Sequence, residues 1–113
     1  MKKQVKENFL DKIPFHKKGL NWSREQDGKV TLEMQNQGIA NRLAQLILKK
    51  PKISYIHLEE FGSFIWPLID GKRNILQIGK LVHEHFGDKA EPLYERLSQY
   101  FKILEGNGFI VLN

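Results

Sequence analysis

Cysteine is absent from the 113 residues, so neither disulfide staples nor thiolate chemistry belongs to this chain, and its redox compartment stays open. No apolar run approaches the ~18 residues of a membrane-spanning helix. Met1-Lys2-Lys3 has the charge of a signal-peptide start, but no apolar stretch follows before Phe9; export by that route is not expected, and a cytoplasmic protein is. Internal repeats and low-complexity segments are missing as well. The length suits one core, not two.

Acidic residues are outnumbered, giving a net charge of +5. The excess is local. Six of the 18 basic residues (Lys2, Lys3, Lys6, Lys12, Lys17 and Lys18) precede Gly19, against only Glu7 and Asp11. Residues 1–18 therefore read as a basic, partly disordered arm and 19–113 as the folded domain. Within the arm, Phe9-Leu10 and Ile13-Pro14-Phe15 are apolar enough to be pinned to the body, in a conformation the sequence leaves open.

Catalytic signatures are lacking too. Ser63 stands mid-helix without a Gly-x-Ser-x-Gly elbow. Gly106-x-Gly108 follows a helix, not a strand, and is no phosphate loop. His83-Glu84-His85 suggests a metal, but helical residues two apart point about 200° from one another and cannot share an ion. No catalytic residue, metal or cofactor is assigned, and an enzyme is not expected.

What the sequence does contain is a clear order of elements. In residues 58–78 the spacing of Phe61, Phe64, Ile65, Leu68 and Ile69 predicts a helix. Asp70-Gly71 stops it. Asn74 with Gln77 predicts an N-cap box opening a second helix faced by Ile75, Ile78, Leu81 and Val82. Pro67 inside the first helix removes one internal hydrogen bond, so a bend or a new partner for the Ser63 carbonyl is expected there. Upstream, Asn21–Gln35 reads as a β-hairpin turning at Asp27-Gly28. A three-residue loop, 26–28, gathers Trp22, Val30, Leu32 and Met34 on one face by pairing Trp22 with Leu32 and Arg24 with Val30. Ile39, Leu43, Leu46 and Ile47 predict a helix over 38–50, ended by Pro51. Lys52–His57 is a short β-prone run, with Ile53, Tyr55 and His57 on one side and Ser54 and Ile56 on the other. Pro92 opens a third helix, faced by Leu93, Leu97, Tyr100, Phe101 and Leu104. Phe109–Leu112 is an extended end that packs back on the body. The sum is an α+β chain of winged-helix type, with a small three-stranded antiparallel sheet against a three-helix bundle.

Leu58, Gly62, Ile65-Trp66, Ile69-Asp70-Gly71, Arg73, Ile75 and Ile78, with the later Phe86, Leu97, Leu104 and Gly108-Phe109-Ile110, resemble the PqqD family over about residues 20–112. Its members are small peptide-binding proteins also called RiPP recognition elements. The resemblance implies capture of the leader region of a ribosomally made precursor peptide, added as an extra strand and presented to a modifying enzyme of radical SAM type. An open sheet edge suits this, because it offers unpaired N–H and C=O groups. Carried to this chain, the docking residues are Lys52, Ile53, Ser54, Tyr55, Ile56 and His57, with some of Leu93, Arg96, Leu97, Tyr100 and Phe101 on the facing helix; Ser54 is taken as an edge donor. Homodimerisation is left open, and no membrane partner is implied. Glu59 and Asn74 depart from the family pattern. The alternative is a winged-helix DNA-binding or regulatory protein, which would need a basic stripe on a helix. Lys80 is offset by Glu84, and Arg96 and Lys102 by Glu91, Glu95 and Glu105. Lys49, Lys50, Lys52, Lys72 and Arg73 would form a patch only if the fold gathered them, so nucleic acid is not favoured.

Overall fold

The computed structural model of the chain describes residues 9–36 and 52–113; the arm residues 1–8 and the helix expected over 38–50 lie outside them. The hairpin forms in the expected register. Strand β2 (Trp22–Arg24) pairs antiparallel with β3 (Val30–Asn36), setting Trp22 against Leu32 and Arg24 against Val30. Gln26-Asp27-Gly28 make the loop: Glu25 N donates to Lys29 O at 2.7 Å, and Gly28 takes φ +89°, a conformation that costs glycine little. Strand β4 (Lys52–His57) joins the other side of β3, so the order is β2-β3-β4. Val30 and Leu32 are fully buried beneath the sheet.

The first helix is shorter than its apolar period suggests. α1 spans Glu60–Ile65, and Trp66–Leu68 tightens into a 3-10 turn. The cause is Pro67, which has no N–H to continue the ladder. Asp70–Asn74 then folds into a polar turn. Asp70 Oδ1 accepts from the N–H of Lys72 and of Arg73, both at 2.9 Å. Gly71 has φ +74°, and a Cβ there would stand 2.8 Å from the Phe15 ring, so only glycine fits. The N-cap box is present in full: Gln77 N donates to Asn74 Oδ1 at 2.8 Å and Asn74 N to Gln77 Oε1 at 2.9 Å. Helix α2 (Ile75–Phe86) buries Ile75, Ile78 and Val82. A 3-10 turn over Gly87–Ala90 leads to α3 (Leu93–Gly106), which buries Leu93, Leu97, Phe101 and Leu104. Pro92 caps α3 and does not enter it. Gly79 lets the two helices approach, since a Cβ there would lie 2.8 Å from Leu97 Cδ1.

The described residues are thus α+β, a small antiparallel sheet with three helices. One pairing was not foreseen. The extended end β5 (Ile110–Leu112) returns to the body as a strand beside β1 (Pro14–His16), with Phe15 opposite Val111. Ile13 and Asn113 exchange backbone bonds of 3.0 Å, and Lys17 N donates to Phe109 O at 2.9 Å. By alternation, position 14 turns away from β5, and proline, with no N–H, loses nothing there. Ile75 N also donates to Lys12 O at 3.0 Å, so residues 12–17 are bonded into the domain.

Candidate functional site

Among the described residues strand β4 is an edge, and the parity of its bonds follows from β3. Glu33 N donates to Asn21 O at 3.0 Å on the β2 side, and Leu58 N donates to Val30 O at 2.8 Å on the β4 side. Odd positions of β3 therefore bond β2 and even positions bond β4. With Leu32 opposite Ile56 and Met34 opposite Ser54, the backbone groups of Lys52, Ser54, Ile56 and Leu58 are consumed inside the sheet. Those of Ile53, Tyr55 and His57 face outward, and among the described residues nothing pairs with them. This corrects one expectation: the Ser54 N–H is an interior ladder donor, not an edge donor.

The ladder ends on a side chain. Val30 N donates to Ser63 Oγ at 2.8 Å, and that hydroxyl donates to Leu58 O at 3.0 Å. Ser63 sits in α1, 5% exposed, and stands where the next interstrand bond would be. Its role is to seal sheet to helix.

Side chains divide by face. Ile56 packs against the core. Tyr55 is 58% exposed, and His57 is exposed on the opposite face. There, Thr31 Oγ1 donates to Glu25 Oε2 at 3.0 Å and lies 2.9 Å from His57 Nδ1.

The five residues named on α3 separate in the same way. Leu93, Leu97 and Phe101 belong to the core and offer a ligand little or no surface. Tyr100 donates from its hydroxyl to Gly62 O at 2.8 Å, and burial pushes its phenol far above the ordinary tyrosine range. A Cβ on Gly62 would meet the Tyr100 ring at 2.9 Å, so this glycine sets how closely α1 approaches α3. Arg96 spreads its guanidinium 4.0 Å above the Phe61 ring and donates to Lys89 O at 2.7 Å. The flank of α3 beside this junction continues, three residues after Tyr100, to Ile103, 56% exposed. Sequence reasoning missed Phe61 and Ile103 as surface candidates. The signal was a second period, 96-100-103, running beside the core period 93-97-101-104.

The histidines fall in four separate places. His16 stacks on Trp66 at 4.0 Å and donates from Nε2 to Trp66 O at 3.0 Å, with Trp22 edge-on to Trp66 at 6.0 Å. Burial lowers the His16 pKa, partly offset by that hydrogen bond. His83 Nδ1 lies 3.6 Å from Glu91, and His85 stacks on Phe64 at 4.1 Å. Among the described residues no three His, Asp or Glu side chains gather as a metal site. A cleft of about 440 Å³ between α2 and the start of α3 is lined by Lys80, His83, Glu84, Glu91, Leu93 and Tyr94; its charges are mixed. No helix among the described residues is long and apolar enough to cross a membrane.

A family model described as Coenzyme PQQ synthesis protein D (PqqD) matches residues 38–110. The match starts after the hairpin, later than the resemblance read from the motif. It includes β4, all three helices and the turn Asp70–Asn74. No curated protein and no solved structure matches the chain.

Proposed function

Because the chain belongs to the PqqD family, we propose that it is a non-catalytic recognition module which receives a precursor peptide as an added strand along β4. The observation that carries this reading is the parity of β4. Ile53, Tyr55 and His57 turn their backbone donors and acceptors away from β3. An incoming extended segment satisfies those groups, and main-chain bonds supply affinity whatever its sequence. Selectivity then comes from the side chains beside the edge: Ile56 below, Tyr55 and His57 above. The flank of α3 at Arg96, Tyr100 and Ile103 supplies the facing wall. In this reading the sheet and the three helices form a winged-helix-type scaffold, and the bound peptide is handed to a modifying enzyme of radical SAM type.

Amide hydrogen exchange tests the docking edge directly. On adding a synthetic peptide that binds the chain, the N–H groups of Ile53, Tyr55 and His57 are expected to gain protection. Those of Ser54 and Ile56, already bonded to β3, are expected to change little. Protection that appears elsewhere and spares Tyr55 and His57 would remove β4 as the docking edge.

A further inference from the structure

Resting on that reading of β4, we propose that the docked strand carries a hydrogen-bond donor, best a lysine or arginine, at the position beside His57. The argument starts at Thr31, on the central strand and only 5% exposed. Its hydroxyl touches Glu25 Oε2 at 3.0 Å and His57 Nδ1 at 2.9 Å. A hydroxyl has one proton, and an ionised carboxylate only accepts. The Thr31 proton therefore goes to Glu25, and the hydroxyl oxygen is left to accept from His57. Nδ1 must then carry the imidazole hydrogen, and in the neutral ring Nε2 is a bare acceptor.

The two ring nitrogens face nearly opposite ways, so Nε2 is directed away from β3, toward the side where a strand is added. It has no hydrogen-bond partner among the described residues. The backbone of His57 faces the same edge. Carboxylates reinforce the preference. Glu33 lies on the same face opposite Tyr55, and Glu59, exposed and extended at φ −72° and ψ 179°, follows His57 by two residues. An acceptor nitrogen in a negative setting favours an N–H or ammonium donor and disfavours Asp or Glu.

The test is a random-peptide display library selected at pH 8 on the immobilised full chain, run in parallel on Tyr55→Pro, His57→Phe and Thr31→Val. Wild type is expected to enrich Lys, Arg or another donor roughly threefold to tenfold at one register position, the range of one hydrogen bond. His57→Phe and Thr31→Val are expected to lose that enrichment. Peptides that depend on Tyr55 but show no donor preference, or an acidic one, would overturn the specificity and leave strand addition standing. If no recovered peptide is sensitive to Tyr55→Pro, strand addition fails and the proposal falls with it. Long-range proton–nitrogen spectra give an independent readout: a proton on Nε2 instead of Nδ1 would also overturn it.

Discussion

Single side chains in this protein do work that their sequence neighbourhood does not announce. Ser63 is the clearest. Its hydroxyl receives the Val30 N–H and gives its proton to Leu58 O, so its removal orphans a donor and an acceptor in a buried place. Ser63→Ala is expected to cost about 1–3 kcal/mol, read as a lowered urea midpoint at unchanged slope. His16 makes stability depend on pH. Its folded pKa lies below the ordinary 6.5 because burial disfavours the charged ring. The unfolded chain therefore takes up a proton before the folded one does. The His16 contribution is complete above pH 6.5 and is lost as pH falls through the depressed folded value. Urea melts at pH 7.5 and pH 5 are expected to show this loss, and His16→Phe is expected to shrink it.

Elements take their roles from register. Pairing fixes which backbone groups of β4 are spent on β3 and which face outward, and adjacent residues have opposite fates. Ser54→Pro removes an N–H bonded to β3 and is expected to destabilise the sheet by several kcal/mol. Tyr55→Pro removes an outward N–H, where edge strands accept proline, and is expected to leave the fold near its wild-type midpoint while weakening peptide binding at least tenfold. Circular dichroism melts and a peptide titration on both variants separate the two effects. If both lose stability equally, the parity assigned to β4 is wrong. The helices show the same dependence on neighbours. α1 stops at Ile65 because of Pro67, yet its position against α3 is set by Gly62 meeting Tyr100.

Across the whole molecule, the two ends of the described chain close on each other. β1 and β5 pair, and His16 carries that sheet onto Trp66 while Trp22 reaches the same ring from the hairpin. The pairing should make residues 12–17 and 109–113 exchange as one unit. Val111, 55% exposed and in the bonded register with Phe15, is the place to break it. Val111→Pro is expected to raise amide exchange in both segments together and to leave α2 protected. Exchange rising only near Val111 would mean that the two strands are held independently.

By itself, the sequence determined the elements whose information is contiguous. The hairpin register follows from Gly28 and the alternation after it, the α2 cap from Asn74 and Gln77, and the burial of Ile75, Ile78 and Val82 from the apolar period of α2. Each of these is a short-range choice made by neighbouring side chains. The tertiary structure decided the rest. Whether Leu97 or Tyr100 belongs to the core depends on what α3 packs against, and a period does not say which neighbour is there. The β1–β5 sheet depends on closing nearly the whole chain, a pairing with no local signature. The direction of the Ser54 and Tyr55 amides depends on a one-residue parity set by β3, because in a strand every step reverses which side a group faces.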